Sequence, residues 1–277
     1  MTTHTLYLLV TCSMDKSREY LAGEVCKNLS AENTDFYFSK DLIVFDNASI
    51  FTSHFKLLPE GAKLIQSNRN IGYWSAINWI LSNYKEVMGR EYDYIYIIES
   101  DLIHYDLRRI NLCEDFLLNN AEVGGVRTQD FSVKLKALYN KKYHWFPFVN
   151  KSSLVSQINP ITGDAVWFEL ADGNAKIYLT NFHAKLPSLN RIQAMKKVFN
   201  KLETKANITE LDFMRLYFEE YSVMAILDGG LYKMLSSIET TYVSGSYSSE
   251  EELGEIGYSN TRVDQIVSTD FHVKKIN

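Results

Sequence analysis

Two carboxylates one residue apart, Glu99 and Asp101, close the apolar and aromatic run YDYIYII. On a continuing strand, residues i and i+2 point to the same face, so the two acids would crowd one spot and repel. Either the strand ends there in solvent, or a hard divalent cation, Mg²⁺ or Mn²⁺, lies between them on oxygen ligands. Such a cation, shared with a diphosphate, would neutralise charge on a departing phosphate group. An acid-x-acid pair is weak evidence alone, and its weight depends on what accompanies it.

Three other apolar runs also end in polar residues. Thr11 and Cys12 follow LYLLV, Asp46 opens the turn DNAS after LIVF, and NRNIG follows the short run AKLIQS. Asp46 either caps a turn or accepts a hydrogen bond from a ligand. Asn70 and Gly72 make either an ordinary loop-to-helix turn or a place where backbone closely approaches a phosphate at a helix N-terminus. Arg69 would offer that phosphate a positive charge, or else lie on the surface.

The elements that must position these residues follow from periodicity. TLYLLVTCS, DLIVFDNAS, AKLIQSN and YDYIYIIESD read as strands. Residues 18–29, YWSAINWILSNYKEV and LRRINLCEDFLLNN read as helices. Strands apolar throughout and alternating with helices predict an α/β fold, a mostly parallel sheet covered on both faces. In such sheets ligands bind at the carboxyl ends of the strands, where all four polar exits converge. Beyond about residue 125 the pattern loosens. SLVSQINPITGDAVWFEL and AKIYLTNF read as further strands that could run antiparallel. LNRIQAMKKVFNKLE and ELDFMRLYFEEYSVMAIL read as largely helical, and SGSYSSEEELGEIGYSNTRVD as a loop over a site. Residues 1–125 are therefore expected to form a ligand-binding half and residues 126–277 the remainder of the same domain.

Composition narrows the function classes. A net charge of −5 lacks the basic surface of a duplex nucleic-acid binder. Three cysteines without CxxC spacing, Cys12, Cys26 and Cys113, read as free thiols in a reducing compartment. No apolar run approaches the ~18–20 residues of a membrane span, and the start lacks the basic region of a signal peptide. A soluble, cytoplasmic protein is expected. NRNIG is no Walker loop and Gly124-Gly125 makes no GxGxxG, which removes P-loop and Rossmann readings.

Taken in order, LLVTCSM, LIVFDNAS, NRNIGYWSAIN and YIIESD resemble the signatures of GT-A glycosyltransferases, nearest to family 2. The resemblance covers roughly residues 5–106. It implies a GT-A type nucleotide-binding sheet with a helical, loop-rich C-terminal part. Thr11, Cys12, Asp46, Arg69, Asn70, Gly72 and Ser100 would then bind a nucleoside-diphosphate sugar, UDP- or GDP-linked. Asn70, Gly72, Ala76 and Asn78 match the family's N-x-G-x-x-x-A-x-N segment. Glu99 and Asp101 stand at its DxD motif and would hold Mn²⁺ or Mg²⁺, with Glu99 departing from the usual first aspartate.

An inverting transfer to a glycan or other hydroxyl acceptor needs a carboxylate base. The family's ED motif has its nearest match in Glu210 and Asp212, separated by Leu211; acids in a helix's first turn also occur for purely structural reasons. Asp164 and Asp228 are rivals, and Asp228 before two glycines also suits a turn. His272 is the candidate further metal ligand, with Lys274 and Lys275 near the phosphates and His183 as a second choice. Trp145, Phe146, Trp167 and Phe168 could stack on sugars or fill the core. Two other readings remain: a sugar-phosphate nucleotidyltransferase, disfavoured because VTCSMDKSREY has no glycine, and a degenerate carbohydrate-binding domain.

Overall fold

A computed structural model describes residues 4–35, 38–128, 167–169, 176–180, 187–202, 208, 210–221, 223–235 and 271–276. The apolar runs become β1 (Thr5–Thr11), β2 (Leu42–Asp46), β3 (Lys63–Ser67) and β4 (Tyr94–Glu99). Helix α1 (Lys16–Asp35) follows β1, α2 (Tyr73–Met88) follows β3, and α3 (Ile110–Asn119) follows the short strand β5 (Leu102–His104). The chain continues through β6 (Val123–Arg127), β7 (Trp167–Glu169), β8 (Lys176–Thr180) and β9 (Ser188–Arg191). It ends with α4 (Ile192–Leu202), α5 (Glu210–Glu220), β10 (Val223–Leu227), β11 (Tyr232–Met234) and β12 (Phe271–Lys275).

Ten of these strands form one sheet in the order β12-β3-β2-β1-β4-β9-β6-β10-β8-β7, while β11 and β5 pair separately. β1 pairs in parallel with both β2 and β4, β2 with β3, and β6 with β10. Only β8, β9 and β12 run against the rest, so the sheet is mostly parallel and flanked by helices, as its sequence predicts.

Alternation along β1 divides the core. Tyr7 and Leu9 pack with Val25, Cys26 and Leu29 of α1 and Cys113 and Phe116 of α3. Leu6, Leu8 and Val10 pack with Ile77, Ile80 and Leu81 of α2, Met195 and Phe199 of α4, and Phe213 of α5. Because helices cover both faces, every β1 residue is buried, which is why the run is apolar throughout. All three cysteines are free. Among the described residues, no helix is long and apolar enough to cross a membrane.

Several readings need correction. β9, inserted antiparallel between β4 and β6, lies in a stretch expected to start a helix; its four residues are too short to show a period. VMAIL, expected to extend the helix before it, is instead the strand β10. The helix stops at Glu220, and this apolar run fits the buried slot between β6 and β8. The expected loop SGSYSSEEELGEIGYSNTRVD lies outside the described residues.

The glycine pair of β6 marks close packing. A Cβ at Gly125 would fall 2.5 Å from the Leu189 carbonyl oxygen of β9, and one at Gly124 would fall 2.7 Å from Tyr221 Cβ.

Candidate functional site

The parallel register sets Thr11 opposite Asp46 at the carboxyl ends of β1 and β2. Thr11 Oγ1 donates to Asp46 Oδ1 at 3.2 Å, and the Ser49 amide donates to the same oxygen at 3.3 Å. Burial raises the Asp46 carboxyl above the usual range, opposed by these bonds and one from Gln66. Between them Ala48 adopts φ 62°, the one positive φ outside glycine among the described residues. Such strain persists where the surroundings over-determine it. Here the Ser13 amide donates to Ser49 Oγ at 2.7 Å, and the Ile50 and Phe51 amides both donate to the Ser13 carbonyl at 3.1 Å.

Asn47 joins this turn to the start of α2. Its Nδ2 donates to Asn70 Oδ1 at 2.7 Å, and its Oδ1 accepts from the Ile71 amide at 2.8 Å. Asn70 Oδ1 also accepts from the Gly72 amide at 2.9 Å, and Asn70 Nδ2 reaches Cys12 Sγ at 3.6 Å. Gly72, at φ 86°, starts the helix from a conformation that only glycine adopts without strain. Thr11, Cys12, Asp46, Asn70 and Gly72 thus share one hydrogen-bonded cluster. Burial pushes the Cys12 thiol up to about 11, against the nearby Arg18 and with the nearby Asp46, which favours the neutral thiol over the thiolate. Arg69 is exposed beside this cluster, and its carbonyl accepts from Ser67 Oγ at 2.6 Å.

The acidic pair differs from its sequence picture. β4 ends at Glu99, and Ser100 and Asp101 turn into β5, so strand alternation does not put both carboxylates on one face. Glu99 is half-buried, with the Tyr73 phenol donating to its Oε1 at 3.4 Å. It stands in register with Val10, one residue before Thr11, so both acids lie on the same sheet edge as the Asp46 cluster. Asp101 is clamped through its backbone: the Leu235 amide donates to its carbonyl at 2.8 Å, and β11 pairs along β5. Its side chain is only 9% exposed, and Oδ1 is buried without a hydrogen-bond partner among the described residues.

A buried carboxylate oxygen left without a partner is costly, and a divalent cation would satisfy it. Among the described residues no cluster of three or more histidine, cysteine or acidic side chains could hold a metal. Mg²⁺ is ordinarily bound by one or two carboxylates together with substrate phosphates. Glu99 and Asp101 therefore fit a cation carried with a phosphate ligand.

A buried polar layer close to this turn has no counterpart in the sequence reading. Thr128 Oγ1 donates to the Pro187 carbonyl at 2.9 Å, which leaves it to accept from the Tyr96 phenol at 2.9 Å. Tyr96 can then accept from His104 Nε2 at 3.1 Å, fixing the histidine as its Nε2–H tautomer. Burial drives the His104 pKa down to about 3, so the ring is neutral. Arg127 and Tyr232 are buried nearby, and Tyr232 lies within electrostatic reach of Arg127, Glu99 and Asp101. Isolated residues on short strands carry no periodic signal, so only the pairing of β5 with β11 reveals this layer.

The remaining candidates divide. Glu210 and Asp212 begin α5, and Phe213 stacks on Trp74 at 4.9 Å and 25°. Trp74 adjoins Tyr73, so the start of α5 packs near the same edge as Glu99. Asp228 belongs to a turn in which Gly229 and Gly230 both have positive φ. Arg109 holds that turn by donating to the Asp228 and Gly230 carbonyls at 3.2 and 3.0 Å. His272 is not brought to Asp101. It is exposed on β12, opposite Gln66, four strand spacings from β4 or about 19 Å. The strand joins the far edge of the sheet, and Lys274 there donates to Gln66 at 2.7 Å. Asp164, His183, Trp145 and Phe146 lie outside the described residues.

The chain matches no protein family, and no curated relative is detected. Among solved structures it is similar to a mycobacterial protein, at 13% identity over 85% of this chain and 68% of that one, TM-score 0.46. It is similar to S. aureus TarS 1–349, at 12% identity over 83% of this chain and 59% of that one, TM-score 0.45. A third is glucosyl-3-phosphoglycerate synthase from Mycobacterium tuberculosis in complex with Mg²⁺ and uridine diphosphate. There the identity is 12% over 99% of this chain and 87% of that one, TM-score 0.45.

Proposed function

We propose that the chain is a metal-dependent glycosyltransferase that moves a sugar from a UDP- or GDP-linked donor to a glycan or other hydroxyl acceptor, with inversion. The observation that carries this reading is the buried, unpartnered Oδ1 of Asp101, clamped on the same sheet edge as the Thr11–Asp46–Asn70 cluster. A carboxylate held in that way suits a charged ligand better than it suits an empty turn.

In this reading Asp46 and Thr11 receive the nucleoside. Asp46 presents a carboxylate already fixed by Ser49 and Thr11, so binding costs little further ordering. Gly72 lets backbone approach the diphosphate at the start of α2, and exposed Arg69 and half-buried Ser100 would line its path. Asp101, with Glu99, would hold Mn²⁺ or Mg²⁺, and the cation would offset charge on the leaving diphosphate. Asp212 or Glu210, at the start of α5, would take the acceptor hydroxyl's proton.

The test is thermal unfolding with UDP and with GDP, with and without Mn²⁺, on the wild type and on Asp101→Ala. A ligand of the folded state at 100 times its Kd raises stability by about 2.7 kcal/mol. A Mn²⁺-dependent rise with one nucleotide, absent in the variant, is expected and would name the nucleotide. No rise with either would overturn the proposal.

A further inference from the structure

The two acids differ in how they are held. Asp101 is fixed by its backbone, through the Leu235 amide and the β5–β11 ribbon. Glu99 ends a strand, is half-buried, and carries one more rotatable bond than an aspartate, so ordering its carboxylate costs more side-chain entropy. The hydrogen bond to its Oε1 comes from the Tyr73 phenol, at 3.4 Å. That phenol is itself well anchored. It follows Gly72, whose φ of 86° sets the start of α2. Its ring meets the Trp74 indole edge-on at 5.3 Å and 79°, and buried Trp74 stacks on Phe213 at 4.9 Å.

We propose that Tyr73 is a positioning residue that fixes the long Glu99 arm so that its carboxylate is presented beside Asp101 to a divalent cation. This rests on the donor-site reading above. Tyr73 need not touch the cation: it removes the freedom that separates a glutamate from an aspartate at this position. The same dipeptide, Tyr73-Trp74, touches the metal-side carboxylate through one ring and the start of α5 through the other, so acceptor-side and donor-side groups are referenced to one helix end.

The experiment is a Mn²⁺ titration at fixed UDP, read by thermal unfolding, on wild type, Tyr73→Phe, Glu99→Asp and the double variant. Losing this long hydrogen bond should raise the Mn²⁺ concentration at half-maximal shift about fivefold in Tyr73→Phe, the net value of an ordinary hydrogen bond. The melting temperature without ligand should hardly move, since the ring stays. In the Glu99→Asp background the same substitution should change the midpoint less than about twofold, because the shorter arm has less freedom to restrain. An unchanged midpoint in Tyr73→Phe, an equal loss in both backgrounds, or loss of the Mn²⁺ response in Glu99→Asp alone would each overturn the role of Tyr73. These outcomes leave the donor-site reading standing. A wild type that shows no Mn²⁺-dependent shift with UDP or GDP overturns that reading and this proposal together.

Discussion

The side-chain amide of Asn47 donates to Asn70 Oδ1 at 2.7 Å while its own oxygen accepts from the Ile71 amide at 2.8 Å. One buried residue after β2 therefore fixes the turn that starts α2. Asn47→Ala leaves the Ile71 amide and the Asn70 oxygen short of a partner, which should cost about 1–3 kcal/mol in denaturant unfolding. On the proposed function, nucleotide affinity should fall with it. Asn47→Asp, which keeps an acceptor for Ile71 but loses the donor to Asn70, should recover part of the stability.

Asp46 should behave oppositely in stability and in binding. Burial raises its folded pKa above the ordinary value of about 3.9, so its stabilising share is complete at pH below that value and is lost as pH rises through the folded pKa. At pH 7 the charged form is thus a cost. Asp46→Asn keeps an oxygen for Thr11 and Ser49 and should unfold at the same temperature as wild type or higher, with the advantage vanishing below about pH 4. Nucleoside binding should weaken at least about tenfold, since the amide cannot replace a charged acceptor. A variant that loses stability at pH 7 would contradict this sign.

Two buried histidines predict acid sensitivity. Burial holds His54 down to about 4 and His104 down to about 3. Below about pH 6.5 the unfolded chain takes up protons that the folded chain refuses, so stability falls as pH drops and is flat above that value. Each histidine should contribute a slope of up to about 1.4 kcal/mol per pH unit between pH 6 and 4. Urea unfolding across that range, on wild type and His54→Gln, should show a shallower slope in the variant.

Gly125 separates a packing role from a ligand role. Its Cβ would lie 2.5 Å from the Leu189 carbonyl oxygen and 2.9 Å from Asn190 Oδ1, so Gly125→Ala must push β6 from β9. A loss of about 1–3 kcal/mol is expected. The Mn²⁺ midpoint of the variant should stay near that of wild type, as Glu99 ends β4 and Asp101 lies in the turn beyond it.

How much of this was legible in the sequence depends on the length of the pattern. Strands β1, β2 and β4 announced themselves because both their faces are buried, and such strands are apolar without a break. Their polar exits were legible for the same reason: Thr11, Asp46 and Glu99 interrupt runs that otherwise admit no polar side chain. The long helix α2 and the turn before it were equally plain from its period and from Gly72.

What the sequence could not decide was adjacency. β9, β10, β11 and β12 span only three to five residues each, and nothing local says which neighbour a short strand will pair with. Pairing placed His272 four strands from Asp101, turned VMAIL from helix into sheet, and laid β11 along β5 so that Leu235 clamps Asp101. Asn47, Tyr73 and the Thr128–Tyr96–His104 relay have the same origin, since their partners lie 8 to 59 residues away in sequence. Residue types and strand ends supplied the chemistry of the site. The tertiary fold chose which groups share it, because a hydrogen bond depends on distance in space and a sequence records only distance along the chain.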